Sequence, residues 1–168
     1  MRSRTSTWFE TKVRYAKTQE DGSEKPVTEA YVVDALSFTE AESAIIDEMS
    51  VYVSGDLKIS GITKATYGEV FFSDIDDDDK WYKAKLQFIT IDEKSEKEKR
   101  SNVTYLVQAK SLARALRYVD EVMGKTMIDY DVVGLNETKL MDVFEHHAPG
   151  DKKEEKNDVP EYEQQEQQ

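Results

Sequence analysis

The sequence predicts an α+β protein: two tandem, diverged β-β-α-β(β) repeats with antiparallel sheet(s), one helix per repeat and a pseudo-twofold relation between the copies. Three observations carry this prediction. Trp8-Phe9-Glu10-Thr11-Lys12-Val13-Arg14-Tyr15 returns as Trp81-Tyr82-Lys83-Ala84-Lys85-Leu86-Gln87-Phe88, 73 residues further on. Ala30-Tyr31-Val32-Val33-Asp34-Ala35 matches Thr104-Tyr105-Leu106-Val107-Gln108-Ala109 at a shift of 74, and Ser37, Ala41, Ile45 and Met49 match Ser111, Ala115, Val119 and Met123. Gly61, Val70 and Phe71 then match Gly134, Val143 and Phe144 at a shift of 73. Such self-similarity is the mark of a repeated structural unit. A unit of about 70 residues has a marginal core by itself, so the copies are expected to share one. The expected units are residues 1–72 and 81–144, joined by an acidic connector at 73–80 and followed by a disordered acidic tail at 145–168.

Each element has a local reason. Residues 8–18 alternate as a strand does, with Phe9, Thr11, Val13 and Tyr15 on one face and Trp8, Glu10, Lys12 and Arg14 on the other. The polar run from Gln19 to Pro26, with Gly22, closes a hairpin, and Val27 to Leu36 returns as a strand rich in Val, Tyr and Thr. A helix follows. Ser37 with Glu40, or Thr39 with Glu42, supplies a capping box, and Phe38, Ala41, Ile45, Met49 and Tyr52 form its apolar stripe. Val53 to Phe72 is strand-like but broken by glycines. It reads either as a bent strand or as a hairpin turning near Thr63-Lys64. The run Ser73-Asp74-Ile75-Asp76-Asp77-Asp78-Asp79-Lys80 is self-repelling and is expected to be an exposed connector.

The second copy repeats the plan. Trp81 to Ile91 is a strand, Asp92 to Asn102 a charged hairpin loop, and Val103 to Lys110 the return strand. Ser111 caps a helix whose apolar face is Leu112, Ala115, Leu116, Val119 and Met123, and Gly124 ends it. Met127 to Leu135 and Lys139 to Phe144 complete the unit. Beyond Phe144 the chain is too polar to bury a core.

Composition narrows the function. The chain has 168 residues, no Cys and a net charge of −12, which excludes disulfides and thiolate metal sites. Residues 1–72 carry 8 basic and 12 acidic side chains, residues 73–144 carry 12 and 15, and residues 145–168 carry 3 and 8. The tail is thus the most acidic part per residue. An acidic chain is soluble and repels nucleic acid at long range unless its cations are concentrated on one face. No apolar run approaches the roughly 18 residues of a membrane span, and Met1 to Thr7 lacks the apolar stretch of a secretory signal. A cytoplasmic location is the expectation.

The candidate site comes from strand parity. Trp8 shares a face with Lys12 and Arg14, and Trp81 shares one with Lys83 and Lys85, while the opposite face already supplies a core. An aromatic ring beside cations is how proteins hold single strands, with bases stacked on the ring and phosphates along the cations. The expected nucleic-acid-binding residues are therefore Trp8, Lys12, Arg14, Trp81, Lys83 and Lys85. The alternative is structural: the two tryptophans pack the copies against each other, or lie beneath a lysine stem. Asp74, Asp76 and Asp78 alternate like calcium ligands but lack the glycine and distal glutamate of such a loop. His146-His147 has no evident third ligand. No triad, phosphate loop or dinucleotide fingerprint is present, so a non-enzymatic protein without cofactor or metal is expected.

Residues 8–52 resemble a family of unknown function carried by Bacteroidetes, their mobile elements and phages. The residues concerned are the Trp-Phe-x-x-Lys-Val-x-Tyr opening, Val27-Thr28-Glu29 and the run from Leu36 to Glu42. The resemblance extends to about Phe144 and transfers no catalytic residue. It implies a small cytoplasmic protein of bacterial or phage origin, near replication, recombination or host takeover. Two functions follow as expectations: an accessory protein bound to single-stranded DNA or RNA, its tail at 145–168 recruiting a protein partner, or a protein-interaction module or host-factor inhibitor without nucleic-acid binding.

Overall fold

The computed structural model describes residues 1–145. The elements run β1 (Arg2–Arg4), β2 (Trp8–Thr18), β3 (Glu24–Asp34), α1 (Phe38–Met49), β4 (Lys58–Lys64), β5 (Glu69–Phe72), β6 (Lys80–Ile91), β7 (Glu98–Ala109), α2 (Leu112–Gly124), β8 (Asp129–Glu137) and β9 (Leu140–Phe144). The chain is α+β, with two helices and two mixed sheets. The expected disorder of the tail, and His146 and His147, lie outside the described residues.

The helix starts are set locally. Ser37 Oγ accepts from the Glu40 N–H at 3.1 Å, and Glu40 Oε2 accepts in turn from the Leu36 N–H. Of the two capping boxes the sequence allows, Ser37 with Glu40 is therefore the one used. Ser111 Oγ accepts likewise from the Arg114 N–H at 3.2 Å, and Gly124 is the last residue of α2. Both hairpins are longer than expected: β3 begins at Glu24 and β7 at Glu98, so Lys99 to Asn102 are strand rather than loop. Gly22, at φ 83°, makes the first of these turns.

One sheet has the order β4-β2-β3-β9, the other β1-β5-β7-β6-β8. Here two expectations are corrected. The sheets are not wholly antiparallel, because β9 lies parallel to β3 and β5 lies parallel to β7. Neither β4 and β5 nor β8 and β9 form a hairpin or one bent strand: each pair is split between the two sheets. The crossing from β4 occupies Ala65 to Gly68. The Gly68 N–H donates to Thr104 O at 2.9 Å, and a Cβ at this position would stand 3.2 Å from Val103 Cγ1. A glycine lets the crossing backbone approach that closely. The boundaries near residues 72 and 81 thus do not enclose two self-contained sheets.

The layers follow from strand parity. Phe9, Val13, Tyr31 and Val33 lie under Ala41, Ala44, Ile45 and Met49 of α1. Ala84, Leu86, Tyr105 and Val107 lie under Val119 and Met123 of α2. A third cluster joins the two sheets: Trp8, Val32, Tyr67, Val70, Phe72, Trp81, Leu106 and Val143. Phe38 and Tyr52 of the expected α1 stripe are mostly exposed, as are Leu112 and Leu116 of α2. The helices sit over smaller parts of their sheets than their apolar stripes would cover.

The acidic connector is only partly solvated. Asp74, Asp76, Asp77 and Asp79 are exposed, but Asp78 is buried. Ser73 and Tyr118 donate their hydroxyls to Asp78 Oδ2, both at 2.5 Å, while the Lys110 N–H and Arg114 Nη1 donate to Oδ1 at 2.8 and 3.1 Å. Burial pushes this carboxyl up, and the four donors outweigh burial and hold it below its ordinary value of 3.8. A depressed folded value contributes stability that is complete above the unfolded value and lost as pH falls through the folded one. Asp78→Asn should therefore flatten the acid limb of stability below about pH 4. Asp78→Ala, which removes the shared acceptor of Ser73, Lys110, Arg114 and Tyr118, should lower stability at pH 7 by about 2 kcal/mol. Denaturant unfolding at pH 7 and pH 3 reads both effects.

A strap lies beside this connector, with the Met1 amino group 3.8 Å from Asp74. β1 pairs with β5. Arg4 bonds Asp34 at 2.6 Å and Glu145 at 2.8 Å, and Arg2 bonds Glu145 while lying 4.4 Å over the Phe72 ring. Glu145, expected in the tail, belongs to the folded body.

Candidate functional site

The expected stacking platform is corrected first. Trp8 and Trp81 do lie on the faces that parity assigns, opposite the helices, but they are 0% and 2% exposed. At the two tryptophans those faces look at the other sheet, not at solvent; further along, at Lys12, Arg14 and Lys85, they are exposed. Both rings pack on Phe72, with centroids at 6.4 and 5.5 Å. Trp8 Nε1 has no hydrogen-bond partner among the described residues. The rings hold the two sheets together and offer no face to a base.

The cations divide. Lys83 Nζ lies 3.0 Å from Glu10 Oε1 and 5.5 Å over the Tyr67 ring, and the Tyr67 hydroxyl donates to Glu10. Burial pushes the Glu10 carboxyl up, and the bonds from Tyr67 and Lys83 override it to hold the group below its usual value. Glu10 stands on β2 and Lys83 on β6, so a charge pair closes the middle of the inter-sheet face. Beside it opens a cleft of about 280 Å³ lined by Glu10, Lys64, Thr66, Tyr67, Lys83, Lys85 and Thr104. Three lysines face one glutamate there, in a chain that is acidic overall. Lys12 and Arg14 are exposed further along β2 and do not line that cleft. Sequence reasoning missed Lys64, the last residue of β4, and Tyr67, on the crossing between the sheets. No periodicity links them to Lys83.

A second feature was also missed. Leu112, Ala113 and Leu116 of α2 and Val132, Val133, Gly134 and Leu135 of β8 line an apolar groove of about 410 Å³. Leu112 is 50% exposed, Leu116 40% and Val133 54%. β8 is an edge strand, and Val133 is the extra residue where its pairing with β6 shifts register. A helical stripe reads the same whether its first turn is covered or bare, so no local pattern announces the groove. Among the described residues no group of three or more His, Asp or Glu side chains could hold a metal ion, and no helix is long and apolar enough to cross a membrane.

These features define the class: an α+β protein with two mixed sheets joined by an aromatic core, carrying its open sites at the rims of that core. The chain belongs to the family described as a domain of unknown function, DUF4494, whose pattern matches residues 7–146. That span begins just before Trp8 and takes in both helices and β9. No curated protein and no solved structure matches the chain.

Proposed function

We propose that the protein is a non-enzymatic interaction module that takes an extended, apolar segment of a partner protein into the groove between α2 and β8. The observation that carries this reading is a bare hydrocarbon wall beside a free strand edge. Leu112, Leu116 and Val133 remain exposed, and β8 has backbone groups free to pair on its outer side. An added strand gains main-chain hydrogen bonds from such an edge and specificity from the side chains it buries. The strongly acidic chain would steer a basic partner toward it. The lowered carboxyls of Asp78, Glu10 and Glu145 each bond to structural partners, as in a structural ion-pair network. The bacterial mobile-element or phage setting, a cytoplasmic location and partner recruitment by residues 145–168 belong to the same reading. So does descent of the two halves from one duplicated, pseudo-twofold unit. The last is supported by matching strand orders, β4-β2-β3-β9 against β8-β6-β7-β5 with β1 added at the edge, and by register shifts at Lys12/Val13 and Lys85/Leu86, 73 residues apart.

Crosslinked capture from bacterial lysate tests the groove, with the wild type and Leu116→Glu compared side by side. A discrete partner that is lost in the variant, whose stability should change by less than about 1 kcal/mol at an exposed site, is the expected result. Equal capture by both proteins overturns it. A second reading keeps single-stranded nucleic acid, held by charge alone in the cleft of Lys64, Lys83 and Lys85. It calls for salt-sensitive binding of labelled single-stranded DNA that Lys64→Glu and Lys85→Glu abolish. A flat titration at low salt retires it.

A further inference from the structure

The region past the end of α1 carries an observation that neither the groove nor the lysine cleft uses. Tyr15, Lys17, Glu29, Tyr31, Tyr52 and Met141 line an open pocket of about 410 Å³ on the helix side of the first sheet. Three phenol rings, a thioether and a carboxylate meet there. Tyr31 is buried and stacks on Phe144 at 5.4 Å, so its position is fixed. The Tyr15 hydroxyl donates to Glu29, which ties ring and carboxylate together. Asp142, the register partner of Tyr31, adds a second negative charge nearby. Burial, and then the bond to Glu29, push the Tyr15 hydroxyl up to about 12, so the ring stays neutral.

The corresponding place in the second sheet shows what packing alone would require. Phe88 stands where Tyr15 does, Val103 where Glu29 does and Tyr105 where Tyr31 does. There hydrocarbon takes the place: Phe88 and Val103 pack, partly buried, against the cluster under α2 that holds Tyr105, and Gly68 stands where Met141 does, with no room for a Cβ without crowding Val103. The same scaffold position is packed with hydrocarbon in one half and open, hydroxylated and negative in the other. Fold maintenance does not call for Glu29 or for the mostly exposed Tyr52.

We propose that this pocket binds an organic cation, an alkylated ammonium group seated among Tyr15, Tyr31 and Tyr52 with Glu29 as its counter-charge. Aromatic faces attract such cations through their quadrupoles, and a carboxylate supplies the charge that selects cation over neutral hydrocarbon. Lys17 at the rim is a like charge and weakens the site. The head group could come from a free small molecule or from a methylated lysine of a protein, and the probes below separate the two.

The test is an NMR titration of the full chain with choline, with its neutral isostere 3,3-dimethylbutan-1-ol, and with a peptide bearing trimethyllysine. Saturable shifts at the amides of Tyr15, Glu29, Tyr31 and Tyr52 are expected for the cations, with the isostere weaker by about tenfold. Glu29→Gln and Tyr52→Ala should each weaken choline about fivefold, and Lys17→Ala should strengthen it about twofold. Tyr52 is exposed, so its removal leaves the fold intact and keeps the result readable. A peptide about tenfold tighter than choline assigns the cation to a protein, and similar affinities assign it to a small molecule. Equal response to choline and the isostere, or no saturation by either cation, overturns the proposal.

Discussion

Residues 1–79 and 80–168, produced as separate chains, should each fail to show a cooperative unfolding transition and should fold when mixed. This is the largest effect the architecture predicts. Without the second half, β5 loses β7, its parallel partner, and keeps only the short β1. Without the first half, β9 loses β3. Each half also loses part of the cluster that joins the sheets, because Trp8, Val32, Val70 and Phe72 come from one half and Trp81, Leu106 and Val143 from the other. What remains is a three-stranded sheet, β4-β2-β3 or β7-β6-β8, with one helix and a bare aromatic face. Units of that size are marginal even with a complete core, and the uncovered edge and face would favour aggregation. Circular dichroism melts of each half and of the mixture decide the matter. A first half that melts cooperatively near the temperature of the intact chain would refute the shared-core reading.

Trp8→Ala and Trp81→Ala should each destabilise the protein by about 3–5 kcal/mol, lowering the melting temperature by roughly 10 °C for a chain of this size. Each truncation empties the largest side chain from a fully buried site between two sheets. Trp8→Phe keeps most of the ring and removes a donor that has no partner, so it should cost markedly less. The exposed Lys85→Ala should move stability by under about 0.5 kcal/mol. The stacking-platform reading of the same residues requires the reverse: unchanged stability and lost binding in the tryptophan variants. Urea unfolding of these four variants separates the readings without any ligand. If Trp8→Ala unfolds at the wild-type midpoint, the ring is not the seal between the sheets.

The features legible in the sequence share a short range. Ser37 and Ser111 cap helices because a hydroxyl reaches an N–H three residues on. Gly124, a poor helix former, is the last residue of α2. The long hairpins announce themselves by alternation and a polar turn. The recurrence of Trp8 at Trp81 marked the two positions on which the core between the sheets is built, and parity placed each ring on the correct face. Reading that face as solvent was the error: alternation separates two sides of a strand but says nothing about what stands opposite either one. The lysine cleft was half legible, since Lys83 and Lys85 follow from parity, whereas Lys64 at the end of β4 and Tyr67 on the crossing meet them by a path that no local pattern records. Asp78 was hidden among its neighbours because four adjacent aspartates read alike until one of them meets Arg114 and Tyr118.

By itself the sequence determined the α+β character, the helix and hairpin positions and the two matching segments, because propensity, capping and alternation act over a few residues. Only the tertiary structure decided that β5 and β9 cross to the opposite sheets, that both tryptophans are sealed between them, and that the α2–β8 groove and the tyrosine pocket stay open. Those outcomes depend on which surfaces meet across long stretches of chain, where burial free energy is gained by contact between faces and not by any residue alone.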